Sequence, residues 1–315
     1  MTTLTPDPAS ALPAAALSIA VGIMAYNEEA NIGNLLESIL TQDVADRVSR
    51  IIVIASGCTD GTSDVVEAYM ERDSRIELVT EGYRSGKIAA INTFLARVRE
   101  PIVIVSCGDL RFDPGTLRAL TEPLEQQGVG MTGAHPVPLN DSTTFVGFGV
   151  NVMWDLHHRI ASEAPKMGEL VAFRNVFDSI DVRALCDELS IQKKIVDLGL
   201  SIVYAADAKV RNRGPERLRE FVHQRIRWNA ANLQIISDHS MSVSTMQPGR
   251  VARAAWDLVR QKRPRLDWLG GLAAIEAYCR LRAYVDYFIL GARAKHRVWV
   301  PLPSTKMLEA SPEQT

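Results

Sequence analysis

Cysteine pairs are missing from this chain: Cys58, Cys107, Cys186 and Cys279 are widely separated and form no C-x-x-C. That excludes a disulfide framework and a thiolate zinc site, and it fits a reducing, cytosolic setting. Uninterrupted apolar runs of membrane length are missing too. The most apolar window of the C-terminal part, residues 269–292, is broken by Glu276, Arg280, Arg282 and Asp286. Such charges are expensive in hydrocarbon, so no spanning helix is expected. The Ala- and Pro-rich residues 1–17 have no basic leader ahead of their apolar run and read as a flexible arm, not as a signal peptide. There is no internal repeat or long low-complexity tract. No nucleic-acid-binding motif is recognisable, so nucleic acid is not an expected partner.

What is present suffices for a sizeable core: 315 residues, 47% of them hydrophobic, make one large domain plus an appendage. The formal net charge is only -2, yet residues 1–210 hold 17 Lys/Arg against 28 Asp/Glu, whereas 211–306 hold 18 against 7. We therefore place a soft boundary near residue 211. The acidic part, 18–210, suits a metal-dependent site. The basic part, 211–315, suits a phosphate-rich ligand or an anionic membrane surface.

Four apolar runs of strand length occupy residues 17–24, 51–54, 76–79 and 102–105, as buried parallel strands require. Between the first two, Ile32, Leu35, Leu36 and Ile39 share one helical face, and residues 62–70 repeat the pattern after the turn Thr59-Asp60-Gly61. The order βαβα predicts a doubly wound α/β sheet. Further on, a short strand at 200–204 precedes helix-like stretches at 216–236, 250–261 and 269–292. Open α/β sheets bind ligands beyond the carboxyl ends of their strands. The residues to examine are therefore Ala25-Tyr26-Asn27-Glu28-Glu29, Ala55-Ser56-Gly57 with the turn that follows, and Ser106-Cys107-Gly108-Asp109.

In residues and spacing, residues 18–236 resemble the GT-A fold of family 2 glycosyltransferases. The resemblance implies a GT-A, Rossmann-like, mostly parallel sheet flanked by helices, with a helical C-terminal appendage. It implies a nucleoside-diphosphate-sugar donor, UDP- or GDP-linked, and a divalent cation, Mg²⁺ or Mn²⁺. Ala25-Tyr26-Asn27-Glu28 is similar to the family's first-strand motif, whose loop lies along the nucleoside. Gly86-Lys87 and the following helix resemble the family's Gly-Lys turn, with Lys87 toward a donor phosphate and Asn92 facing the same crevice. Cys107-Gly108-Asp109 stands where the family usually has Asp-x-Asp, which leaves Asp109 as the direct metal ligand, since a thiol suits Mg²⁺ poorly. Where the family often has two aspartates after the second strand, this chain has Ala55-Ser56, so Ser56 and backbone groups take that work. Asp60 reads as a turn residue.

Asp187-Glu188, upstream of Gly199 and a short strand, resemble the family's acidic pair. Either is a candidate for the general base of an inverting transfer, the choice depending on a one-residue register. Gln224-Arg225-Ile226-Arg227-Trp228 matches the family's Gln-x-x-Arg-Trp pattern, and Gln224, Arg227 and Trp228 share a helix face suited to gripping the donor. Processive relatives carry this pattern with membrane spans, so processivity is not expected. Residues 154–159 and 165–175 resemble acceptor-side segments; His157-His158 read as helix surface plus packing.

The C-terminal apolar positions Leu272, Ile275, Cys279, Tyr284, Phe288 and Ile289, with arginines nearby, suit packing on the sheet, an oligomer contact or an anionic bilayer. The expectation is thus an inverting hexosyltransferase acting on an unidentified acceptor hydroxyl, a lipid-linked one among the candidates. It would be cytoplasmic or peripheral at the membrane. Two rivals are a degraded, non-catalytic relative serving as a scaffold, and a sugar nucleotidyltransferase, whose Gly-rich triphosphate loop is absent.

Overall fold

Seven consecutive buried residues, Ile19–Ala25, form β1, the centre of the sheet in the computed structural model. The structure describes residues 18–262, 264–291, 302–306 and 308, with the backbone alone at 239. β1 pairs in parallel with β2 (Val48–Ser56) and β4 (Ile102–Cys107), and β2 with β3 (Ile76–Glu81). Alternate residues of these strands feed two cores. Val21, Ile23, Ile51, Val53 and Ile104 meet Leu35, Leu36 and Ile39 of α1 (Ile32–Leu40) on one face. Ala20, Ile52, Ile54 and Val103 meet Ile91 and Phe94 of α3 (Lys87–Leu95) on the other. This is why the runs read as continuously apolar instead of alternating. Gly22 sits where a Cβ would lie 2.6 Å from the Phe94 ring, so α3 approaches β1 only because that residue has no side chain.

Beyond β4 the sheet turns mixed. Its eight strands run in the order β3-β2-β1-β4-β7-β6-β8-β5. β7 (Val171–Arg174) is antiparallel to β4 and to β6 (Val129–Pro138), β6 is parallel to β8 (Ser201–Asn212), and β5 (Arg111–Phe112) is antiparallel to β8. The doubly wound pattern therefore holds for the first four strands only. β8 is longer than the apolar run at 200–204 suggests and carries the chain past residue 211, where Arg211 forms a two-pronged ion pair with Asp113 at 2.7 Å.

The helices α2 (Thr62–Met70), α4 (Thr116–Thr121), α5 (Phe145–Glu163) and α6 (Asp187–Asp197) flank the sheet. The basic part then folds as α7 (Leu218–His239), α8 (Pro248–Lys262) and α9 (Leu266–Tyr284), which continues as a π-helical turn, Val285–Ile289. Arg225 of α7 grips Glu276 of α9 with two hydrogen bonds of 3.0 Å, which fixes the two helices against each other. Of the expected C-terminal stripe, Leu272 and Ile275 pack against α5 and Cys279 is buried, whereas Tyr284, Phe288 and Ile289 are exposed. Among the described residues no helix is long and apolar enough to cross a membrane.

Candidate active site

The crevice opens at the carboxyl ends of β1, β2 and β4, as the parallel topology dictates. Ala25 ends β1 and is buried; Asn27 then turns the chain through a left-handed φ of 54°. That conformation is held by two contacts to Thr59: the Asn27 Oδ1 accepts the Thr59 amide at 2.8 Å, and Nδ2 donates to the Thr59 hydroxyl at 3.1 Å. The first-strand loop is thus locked onto the turn after β2. Asp60 braces the same turn by accepting the Thr62 amide at 3.1 Å, in the structural role expected for it. The Arg84 guanidinium lies 4.0 Å from the centre of the Tyr26 ring and covers one of its faces.

Glu28 is only 5% exposed and packs against Gly108, where a Cβ would come within 2.8 Å of the Glu28 Cγ. Burial, and next the charge of Asp109, push the Glu28 carboxyl up to about 7, against the pull of Lys306. Burial raises Asp109 as well, again opposed by Lys306. Lys306 comes from the far end of the chain. Its ammonium ion-pairs with Glu28 and donates to the Tyr26 carbonyl at 2.8 Å. Nothing in the local sequence signals this lysine, which is 278 positions from its partner.

On the other wall, Lys87 at the start of α3 reaches Asp187 Oδ2 at 2.8 Å and Glu188 Oε1 at 3.3 Å. The lysine assigned from sequence to a donor phosphate is therefore bound to the acidic pair. The two carboxylates are pushed apart. Burial and the charge of Glu188 raise Asp187 to about 6, while Glu188, also buried, is drawn down to about 2 by Lys87 and a hydrogen bond from the Cys186 thiol. The Arg227 guanidinium of α7 is buried near the same pair and donates to the Leu185 carbonyl at 3.4 Å. Glu169, with a left-handed φ of 61°, adds a further carboxyl that burial and the nearby Asp109 charge raise to about 8. Its position directly after Gly168, in a polar stretch between motifs, was its only sequence signal.

Other expected site residues serve differently. Asn92 spends its amide on the backbone of Ile180, donating at 2.9 Å and accepting at 2.8 Å, and so clamps the loop before α6. Ser56 lies at the rim and donates to Glu81 Oε2 at 2.6 Å. Ser85 and Thr93 also donate to Glu81, at 2.7 and 2.9 Å. Glu81, at the end of β3, thus places a carboxylate beside Ser56 where the sequence after β2 has none. Gln224 is buried with its Oε1 unpartnered, and Trp228 packs edge-on against Trp154 at 5.7 Å between α7 and α5. His157 is buried beside Trp154, and His158 stacks on His135 with ring centres 4.0 Å apart. Among the described residues no group of three or more His, Cys, Asp or Glu side chains is placed to hold a metal ion by itself.

A mixed eight-stranded sheet with a charged crevice at the ends of its parallel strands defines an α/β fold of the GT-A type. The model of glycosyl transferase family 2 matches residues 20–177, half of the chain, and the chain belongs to that family. Asp187-Glu188 and Gln224-Trp228 lie beyond the matched stretch. The uncharacterized glycosyltransferase EpsJ of Bacillus subtilis (strain 168) is 27% identical over 115 residues, 36% of this chain and 33% of that protein, so the match spans a third of the relative's length.

Two solved structures share the fold. A mannosyltransferase from Pyrobaculum calidifontis, in complex with GDP-Man and Mn²⁺, is 21% identical with a TM-score of 0.59, covering 89% of this chain and 85% of that one. The glucosyl-3-phosphoglycerate synthase of Mycobacterium tuberculosis, with Mn²⁺, UDP-Glc and phosphoglyceric acid, is 21% identical with a TM-score of 0.51, covering 73% and 82%.

Proposed function

We propose that this chain is an inverting glycosyltransferase that moves a sugar from a nucleoside-diphosphate sugar to an acceptor hydroxyl. The observation that carries the reading is the buried acidic pair at the start of α6: Lys87 reaches Asp187 at 2.8 Å and Glu188 at 3.3 Å, Arg227 lies buried beside them, and burial raises the Asp187 carboxyl, the direction a general base needs. Asp187 takes the proton of the acceptor hydroxyl as that oxygen attacks the anomeric carbon from the face opposite the leaving group. The bond to the diphosphate oxygen breaks and the anomeric configuration inverts. Arg227 lies close enough to steady the charge that accumulates.

Asp109 is the residue that would hold a divalent cation. Its carboxylate is a hard oxygen ligand at the end of β4, and with no three-carboxylate cage among the described residues, donor oxygens and water would complete the shell. Mg²⁺ or Mn²⁺ there would neutralise the departing diphosphate. The two similar structures carry Mn²⁺ with GDP-Man or UDP-Glc, which supports the same donor class, UDP- or GDP-linked, here.

The exposed Tyr278, Leu281, Tyr284, Phe288 and Ile289, beside Arg280 and Arg282, suit contact with an anionic bilayer. We propose on this ground that the enzyme is peripheral at a membrane; co-sedimentation with anionic against neutral vesicles tests this.

The decisive experiment supplies a panel of nucleotide sugars with Mg²⁺ or Mn²⁺ and follows nucleoside diphosphate release by wild type and Asp109→Ala. Release lost in the variant supports the proposal. A wild type that binds no nucleotide sugar under any of these conditions overturns it in favour of a scaffold. Release of pyrophosphate from a nucleoside triphosphate and a sugar phosphate would mark a nucleotidyltransferase.

A further inference from the structure

We infer that Lys306 is a diphosphate-binding residue of the donor site, delivered across the crevice by a C-terminal strap; this rests on the donor reading above. The strap is anchored at two places. At the entry to α7, the Ser304 hydroxyl accepts the Glu216 amide at 3.1 Å and donates to the Glu220 carboxylate. At the entry to α1, Asn31 donates to the Lys306 carbonyl at 2.9 Å and accepts the Leu308 amide at 2.8 Å. Leu302 and Leu308, each 5% exposed, bury the two ends, and the 3-10 turn Pro303–Thr305 sets the bend between them. Ordering such a segment costs backbone and side-chain entropy, and burying these two leucines and anchoring the bend offset part of it.

The lysine so delivered sits on the nucleoside side, its ammonium 5.9 Å from the centre of the Tyr26 ring. An ammonium has three donors. Here one meets the Tyr26 carbonyl and one the Glu28 carboxylate, and among the described residues nothing takes the third, which is the donor for an incoming oxygen. Its charge acts on Asp109, so it lies within reach of whatever Asp109 faces. One further fact favours an anionic ligand there: Lys87, at the start of α3, is already occupied by Asp187 and Glu188.

The test is calorimetric binding of UDP, GDP and the corresponding nucleosides to the full chain, with Mg²⁺ and with a chelator. Lys306→Ala is expected to weaken whichever nucleoside diphosphate the wild type binds by roughly tenfold or more, with and without Mg²⁺, and to leave nucleoside binding unchanged. Lys306→Arg keeps the affinity within roughly threefold. Ser304→Ala, which loosens the strap without touching the lysine, gives an intermediate loss.

Unchanged diphosphate affinity in Lys306→Ala overturns the assignment and leaves the donor site standing. Equal losses for diphosphate and nucleoside make the strap a structural prop and overturn it too. Tighter Mg²⁺-dependent binding in the variant makes the lysine a competitor of the metal, again against the inference. If wild type binds neither nucleotide, the donor reading falls and takes this one with it.

Discussion

The Lys87 ammonium stands 2.8 Å from Asp187 Oδ2, so the first residues of α3 and α6, a hundred positions apart in the chain, meet as an ion pair inside the crevice. Because the same ammonium also serves Glu188 at 3.3 Å, it sets the acidity of both carboxyls. For Asp187 the consequence is an acid limb: kcat/KM falls about tenfold per pH unit below about 6, as the base becomes protonated. Glu188→Gln removes a charge that raises Asp187 and shifts the limb to lower pH, whereas Lys87→Ala shifts it higher. Asp187→Asn lowers turnover by about 10²- to 10⁴-fold. Rate profiles from pH 5 to 9 check all three, and an acid limb retained unmoved in Lys87→Ala would rule out Asp187 as the base.

Glu169 makes the opposite kind of prediction, one about stability. Its carboxyl is raised to about 8 from an ordinary value near 4.5, so between those pH values the native chain holds a proton that the unfolded chain has released. Stability contributed by this group therefore falls as pH rises through that window. Glu169→Gln, which keeps the shape and loses the titration, is expected to raise stability by about 1–3 kcal/mol at pH 8 and to change little at pH 5. Urea titrations at the two pH values measure the difference.

The clamp between α7 and α9 is testable by removing one partner or both. Glu276→Ala strands the Arg225 guanidinium, which is 15% exposed, and is expected to cost about 3 kcal/mol. Arg225→Met with Glu276→Leu recovers most of that loss, because a matched apolar pair replaces a half-broken ionic one. Equal losses in the single and double variants would mean that the pair is not what holds the helices.

Gly22→Ala forces a methyl group into the Phe94 ring, 2.6 Å from its nearest atoms, on the central strand. The expected loss is about 1–3 kcal/mol, recovered in part by Phe94→Leu, which clears the space. Thermal unfolding of the two variants decides it.

The sheet's first half was legible because β1 to β4 are buried on both faces and show as plain apolar runs. The family match begins there and runs on through β7. The second half was not. β6 contains Gly130, Gly133, His135, Pro136 and Pro138, a composition that reads as loop, and β7 is four residues long. Neither pairs with a sequence neighbour in a way that a local pattern can announce.

At the site, the strand-end rule picked out Tyr26-Asn27-Glu28 and Asp109, which the structure brings together, and the helix face of Arg227 lies beside the acidic pair. The exceptions have a common cause. Asn92, Lys87 and Lys306 are defined by partners 88, 100 and 278 positions away, and no spacing rule reaches that far.

Gly108 and Glu28 are, in volume, a single object. The space that a side chain at 108 would fill is already taken by the Glu28 methylenes, 2.8 Å from the absent Cβ. The two loops that frame the crevice therefore cannot drift separately: any relative with a larger residue at the position of Gly108 needs a shorter or redirected one at the position of Glu28. In an alignment these columns should change together, and a variant library built at one of them alone should return almost nothing but glycine.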